Sequence, residues 1–542
     1  MILIEMATLS EMAILSELTL GFLDLAVLIG YMGGIGMMGL YFARRNTSTE
    51  EYFVGGRSHK GWVIGLSLVG TSISSISFLG FPADAYKTAY LRMLPNFMLP
   101  VALVVAAYVF LPFFRKNHIS SAYEYLEMRF GPRVRVYGAV AFIIGQLMRI
   151  SGILFLVSIM IQTLTNLDST TCIIIAGIFV AFYTIVGGIH AVIWTDVIQT
   201  IVLALGGVVC LVVILNRLPG GLGQIIEVAS AAGKFSFAEF SEGVMQPVRW
   251  DLTLQSKTAG MMLLIGLTIW LREYSCMQAT IQRYAAARTS KDARTAMWVC
   301  GLTSIPTWLF FMFIGTSLYV FYQEFPTEAT TNMLTGANEA KAEDIMPFFI
   351  LHQLPQGMKG LVIAAALAAA MSSIDSSINA ISAVSIIDIY RRHLVKDRHD
   401  SHYLAMARWI AVATGILMIL GAIWFANSES KTMQDTLTML TAVLGGGLFG
   451  LYMFGMLTTR GNGMAALCGI VCTILFTVWT LLAKSEMLPD NLSVPFDLYY
   501  VDVVGNVVMF IIGYLAGLWF FPNQKQLANL TIWTHEDVVS ND

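Results

Sequence analysis

Hydrophobic stretches close to the length of a bilayer core recur about thirteen times along the chain, near 20–43, 62–82, 94–114, 137–165, 170–190, 192–215, 259–279, 298–322, 360–386, 403–425, 437–458, 463–483 and 499–522. Short polar intervals separate them, which predicts an all-α polytopic membrane protein. The second stretch departs from the pattern. Residues 66–82, LSLVGTSISSISFLGFP, carry Ser67, Thr71, Ser72, Ser74, Ser75 and Ser77 among Gly65, Gly70 and Gly80. At helical spacing Gly70, Ile73, Ser74 and Ser77 share one stripe. Lipid cannot satisfy freed backbone groups, so a helix built to break here must be buried in protein or line a cavity. Two readings stay open, an ion and solute site or a close helix–helix contact, because small residues serve both.

Composition supports the membrane reading: 56% of the 542 residues are hydrophobic and only 12% are charged, which excludes a water-soluble fold. A net charge of −3 gives no nucleic-acid signal. The cysteines, Cys172, Cys210, Cys276, Cys300, Cys468 and Cys472, fall in apolar segments without metal-type spacing and read as small hydrophobes. The N-terminus has acids and no basic residue before the first run, so no cleavable leader is expected.

Basic residues predict orientation. Arg44, Arg45, Arg57 and Lys60 follow the first run, and Arg115, Lys116, Arg129, Arg133 and Arg135 follow the third. Arg283, Arg288, Lys291 and Arg294 follow the seventh; Arg391, Arg392, Lys396 and Arg398 follow the ninth. If every run spans, all four groups share one side, which should be the cytoplasm, with the N-terminus outside and the C-terminus inside the cell (inner) membrane. The base-poor connections 216–258 and 323–344 should lie outside and hold small helices.

Without the first run, runs two to six and seven to eleven form two sets of five, and an odd number per set forces an inverted repeat. Polar residues in the middle of run seven, GLTIWLREYSCMQA, match the interrupted stretch of run two. The expected layout is 1–60 as an extra helix and loop, 61–216 as the first repeat, 217–258 as an external connection and 259–460 as the second repeat. Two further helices then fill 461–522, and 523–542 is a cytoplasmic tail too short for a catalytic module. No GxxxxGK[ST], HExxH or GxSxG motif occurs in a fitting context, nor any nucleophile–base or metal-ligand set, so neither ATP-driven work nor an enzyme is expected.

Charges within the apolar runs locate candidate chemistry. Arg149 lies about twelve residues into its run, hence roughly 18 Å deep. A central arginine must meet an anion, either an acid of the protein or the carboxylate of a solute, whose shape suits its planar fork. Asp196 reads equally as an ion ligand or as an acid at a helix start. Asp375 stands among Ser372, Ser373, Ser376, Ser377 and Asn379 on an Ala-rich helix, and carboxylate, carbonyl and hydroxyl oxygens are what a small hard cation requires. Arg272 and Glu273 are adjacent and cannot face each other on an intact helix, so either the helix breaks there or each has its own partner. His190 and His352 read as polar residues at segment ends.

The segments EEYFVGGRSHKGW, SSAYEYLEMRFGPRVR, GGIHAVIWTDVIQT and MSSIDSSINAISAVSIIDIYRR together resemble the sodium:solute symporter family from about residue 20 to at least 460. Within it the chain looks most like bacterial sialic acid:sodium symporters, through GTSISSISF followed by FPADAY, Arg149, and the WTD and SSIDSS segments. The resemblance implies a sodium site formed by the carbonyls of Gly70, Ile73 and Ala369 and the hydroxyls of Ser372 and Ser373. A second sodium would map onto Asp196, Ser372, Asp375 and Ser376. Solute contacts would map onto Ser72, Ser74, Ser77 and Asn96, with Arg149 on the carboxylate. The implied activity is sodium-driven import of a small anionic solute, sialic acid, with no obligatory protein partner. Another sugar or organic acid is the same-fold alternative, and a solute-binding sensor the remote one. The chain departs from that branch at Asp375, where the branch has serine, at Asn96 for glutamine, at Arg92 for an aromatic, and at Arg272–Glu273 for uncharged amides.

Overall fold

The computed structural model describes residues 20–116, 119–165, 167–241, 244–253, 255, 258–337, 341–427, 447–484 and 488–534. Among them nine helices are long and apolar enough to cross a membrane, or ten if one bent pair counts as a span. The elements that position the site are α1 (Phe22–Ala43), α2 (Gly61–Ser72), α3 (Phe81–Lys87), α4 (Pro132–Thr165) and α5 (Ser169–Arg217). They continue with α6 (Gly221–Ala231), α7 (Ala259–Cys276), α8 (Gln278–Ala286), α9 (Ser290–Glu324) and α10 (Met358–Val384). After these come α11 (Asp400–Ala426), α12 (Leu448–Leu457), α13 (Gly463–Lys484) and α14 (Val501–Trp519). The first ten residues of the expected run 437–458, 437–446, lie outside the described residues, and the rest holds α12.

The helix expected to break does so at Ile73, whose backbone turns extended (φ −99°, ψ 106°). A π-helical turn, Ile76–Gly80, leads into α3, and the two halves bend by 63°. Pro82 sits in the first turn of α3, where its missing N–H costs nothing. Run seven breaks in the same manner at Met277 (φ −83°, ψ 125°) between α7 and α8. That point lies beyond Arg272 and Glu273, which therefore share an unbroken helix and take separate partners: Arg272 pairs with Asp502 at 2.7 Å, and Glu273 accepts from the Thr280 hydroxyl at 3.4 Å.

Runs five and six, expected as separate helices, join in the 49-residue α5, whose direction changes at Gly188 (φ 58°, ψ −162°). Its length suffices for two crossings, and a glycine supplies the turn within the helix where a loop was expected. A side chain there would also collide with Tyr52, 2.8 Å from an added Cβ.

α10 is the centre of the molecule: 94% of the most apolar window of Met358–Leu394 is buried, against 17% for α1, whose outer face is left to lipid. α5 forms the most extensive helix pair with it. α1 is nevertheless tied to the start of α10, because Asp24 accepts from the Gly357 and Gly360 backbone N–H groups at 2.7 and 2.8 Å. An acid at a helix N-terminus satisfies donors that have no partner within the helix.

The connection after α5 holds α6 and an antiparallel pair, Ala238–Ser241 with Val244–Pro247, and the other long connection holds a helix at Glu328–Thr335. Lys234, buried, donates to the carbonyls of Tyr86 (2.6 Å) and Thr88 (2.9 Å) and lies 4.0 Å from the Tyr319 ring centre. It caps the C-terminal end of α3 by donating to carbonyls that have no partner within the helix. Three arginines read as loop charges are in fact buried. Arg129 donates to four carbonyls at the end of α12 and beyond it, Arg135 pairs with Asp388 (2.7 Å) and Glu127 (2.6 Å), and Arg283 enters the core. A guanidinium tolerates burial when its donors are all met.

Candidate cation and solute site

The interruption at Ile73 turns the last carbonyls of α2 toward α10. The Ser372 hydroxyl donates to the Gly70 carbonyl at 2.8 Å and lies 3.2 Å from the Ala369 carbonyl, and the Ser373 hydroxyl reaches the Thr71 carbonyl at 3.4 Å. All of these residues and Ile73 are buried. Gly70 also lets α2 pack close to α5, since a Cβ there would stand 2.9 Å from the Thr200 hydroxyl and 3.2 Å from the Asp196 carbonyl. The result is a cluster of uncharged hard oxygens from two helices, a donor set that fits a sodium ion.

One turn further along α10, Asp196, Asp375 and Ser376 come together, and a cation of the protein lies among them. Arg283 donates to the Asp196 carboxylate at 2.8 Å, to the Ser376 hydroxyl at 2.6 Å and to the Ser67 hydroxyl at 2.8 Å. Ser67 in turn donates to the same Asp196 oxygen at 2.5 Å, and the other Asp196 oxygen is buried with no partner among the described residues. Asp375 faces hydroxyls: Tyr183 donates to it at 2.7 Å, Ser376 lies at 3.2 Å and Thr195 at 3.4 Å. The Ser376 hydroxyl also donates back along α10 to the Ser372 carbonyl at 2.7 Å, while the Ser372 hydroxyl faces Gly70.

Of the residues expected at the solute, Ser72, Ser74 and Ser77 lie at the same break. The Ser72 hydroxyl lies 3.0 Å from the Tyr274 hydroxyl of α7, which continues to the Cys300 thiol at 3.0 Å. Ser74 caps the restart of the helix by accepting from the Ile76 N–H at 3.3 Å, and the buried Ser77 follows on the π-helical turn. Asn96, on the short helix Leu91–Met98, donates to the Arg92 carbonyl at 3.2 Å, and Arg92 pairs with Asp84. Arg149 is half-buried on α4 and has no ion pair among the described residues. It shares a stripe with Gln146 and Ile153, at i−3 and i+4, and Gln146 accepts from Ser377 of α10 at 3.0 Å. By periodicity the arginine lies beside the face that Gln146 turns toward the site helix, and no acid among the described residues pairs with it.

Sequence reasoning did not single out Arg283, Tyr183, Thr195 or Tyr274. A basic residue just after an apolar run carries the same signal whether it orients a loop or turns inward. The interruption of run seven was a hint, since every residue of α8, just past the break at Met277, is buried.

The model of the sodium:solute symporter family matches residues 52–472. Over 94% of its length the chain is 31% identical to the sodium/sialic acid symporter SiaT of Proteus mirabilis (strain HI4320), covering 97% of that protein. It is 30% identical to the sodium/sialic acid symporter NanT of Aliivibrio fischeri (strain ATCC 700601 / ES114), over 93% of the chain and 94% of the relative. A solved structure, the substrate-bound outward-open state of a Na+-coupled sialic acid symporter with a novel Na+-site, superposes with a TM-score of 0.83 at 30% identity, covering 94% of this chain and all of that one. The nucleobase-cation-symport-1 transporter Mhp1, in a closed conformation, aligns with a TM-score of 0.52 at 13% identity over 86% of this chain and 94% of its own, a likeness of fold alone. The architecture is thus the inverted-repeat transporter fold, and the chain belongs to the sodium:solute symporter family.

Proposed function

We propose that this protein is a sodium-driven symporter that imports sialic acid (N-acetylneuraminate) across the inner membrane by alternating access. The observation that carries the solute assignment is Arg149, a mid-membrane guanidinium beside the face that Gln146 turns toward α10, with no ion pair among the described residues. A carboxylate is the complement that its fork selects, and the relatives named above for sialic acid support the choice.

In this reading Gly70, Ile73, Ala369, Ser372 and Ser373 hold the first sodium and thereby clamp the broken α2 against α10. Ser72, Ser74, Ser77 and Asn96 hold the solute beside it. Sodium drives transport only if it binds the solute-competent state preferentially, since equal affinity for both states shifts nothing. The clamp supplies that preference, because its oxygens come from two helices and meet only when those helices are docked. A second sodium is held by Asp196, Ser372, Asp375 and Ser376, beside the pair that Arg283 makes with Asp196. The two repeats cover 61–216 and 259–460, with the N-terminus outside and the C-terminus in the cytoplasm.

Purified protein in proteoliposomes, given an inward sodium gradient, should accumulate labelled N-acetylneuraminate. Potassium in place of sodium should abolish the uptake. Accumulation of a different organic acid or a neutral sugar from the same panel, without sialic acid, would replace the substrate assignment.

A further inference from the structure

Between the end of one apolar span at Leu394 and the start of the next at Asp400, the chain makes a short connection outside both spans, on the side where the two helices leave the membrane. Arg391, Arg392, Lys396 and Arg398 line a cavity of about 400 Å3 here, with Asp397 and Tyr403 completing its wall. Only Arg392 has a carboxylate partner among the described ion pairs, Glu127 at 2.6 Å. Arg391 lies over the Tyr403 ring, 5.2 Å from its centre, and Lys396 and Arg398 have no ion pair among the described residues.

The connection is a held turn. Val395 N–H bonds to the Tyr390 carbonyl at 2.9 Å, the Tyr403 hydroxyl donates to the Val395 carbonyl at 3.0 Å, and the Arg398 N–H donates to that hydroxyl at 3.2 Å. Asp397 adopts φ 57°, which lets the chain reverse and turn three cationic side chains to one space. Four positive groups, less the pair with Glu127 and the single Asp397, leave a net positive cavity at headgroup depth.

We propose that this cavity binds a phosphate-bearing anion, and that at its depth the anion is the headgroup of an anionic phospholipid. Positive charges that only orient a helix need neither a common cavity nor fixed geometry. Guanidinium forks gathered around one space match the oxygens of a phosphate, and basic pockets between membrane helices suit acidic headgroups. The cavity opens at the end of the π-helical segment Ser385–Leu394, which continues α10, so the occupant would touch the same rod that carries Ser372, Asp375 and Ser376.

The test titrates the purified full-length protein with short-chain phosphatidylglycerol, phosphatidylcholine and inorganic phosphate, following lipid adducts by native mass spectrometry and the thermal midpoint. Phosphatidylglycerol should bind in preference to phosphatidylcholine. The R391Q/K396Q/R398Q variant should lose that preference by roughly a hundredfold, as three basic groups at an anionic surface imply, whereas R391K/R398K should keep most of it. K396Q/R398Q, confined to the exposed turn, gives the same reading at reduced size should the triple variant fold poorly. A midpoint raised by inorganic phosphate, with no phosphatidylglycerol adduct, assigns the cavity to phosphate from solution. Equal binding of the two lipids with no response to phosphate, or undiminished phosphatidylglycerol binding by the triple variant, overturns the proposal.

Discussion

Arg283 and Asp196, 87 residues apart in the chain, meet at 2.8 Å with both side chains almost wholly buried (1% and 0% exposed). Buried pairs of this kind rarely add much stability over an apolar pair, yet losing one member leaves an unpaired charge that costs about 3–5 kcal/mol. Arg283→Met should therefore reduce the folded yield and the thermal midpoint sharply. Adding Asp196→Asn should restore part of the loss. Thermal unfolding of both single variants and the double variant makes the cycle, and additive losses would show that the two residues do not act as a pair.

Ser372 is the hydroxyl that joins the Gly70 and Ala369 carbonyls. For Ser372→Ala we expect roughly a tenfold or greater rise in the sodium concentration for half-maximal uptake, the scale of losing about 1.5 kcal/mol from one polar contact to a charge. Protein level in the membrane should be unchanged. An unaltered sodium dependence would move the first sodium site elsewhere.

Arg149→Ala should abolish uptake of a carboxylate solute while the protein still reaches the membrane. Charge-assisted contacts of about 1.5–3 kcal/mol place the affinity loss at ~10- to 150-fold. Binding of the solute by calorimetry separates this from a slowed transport cycle. Retained affinity would remove the carboxylate assignment.

Burial lowers the Lys234 amine from 10.5 to about 7, despite the carbonyls and the ring that face it. Between those two values the unfolded chain holds a proton that the folded one has lost, so stability rises with pH across that window. Lys234→Met abolishes the titration. The melting midpoint of the wild type relative to this variant should climb from pH 7 toward pH 10, and a level or falling difference would contradict the buried amine.

The broken helices were legible because their cause is local: hydroxyls and glycines within an apolar run are visible without the fold, and Ile73 lies at the centre of the first such run. Ser372, Ser373, Asp196 and Asp375 were legible as chemistry, and the structure gathers the carbonyls and carboxylates around them. The partners across long distances were not. Arg272 takes Asp502 and Arg283 takes Asp196, choices settled by how helices dock and not by any spacing in the chain. The joining of the fifth and sixth runs was hidden for a related reason, since Gly188 changes direction with one positive φ and leaves no polar loop to mark the turn.

Asp24 has a consequence for how the protein is made. Its carboxylate is satisfied by N–H groups of Gly357 and Gly360, more than 330 residues downstream. Synthesis runs from the N-terminus, so α1 is inserted long before α10 exists to receive it. Until then the acid must stay at the water-facing margin of the bilayer, because an unpaired aspartate deep in lipid costs about 2.5–3.5 kcal/mol. Arrival of α10 supplies those N–H groups, and that late docking joins the first described helix to the one that carries Ser372 and Asp375.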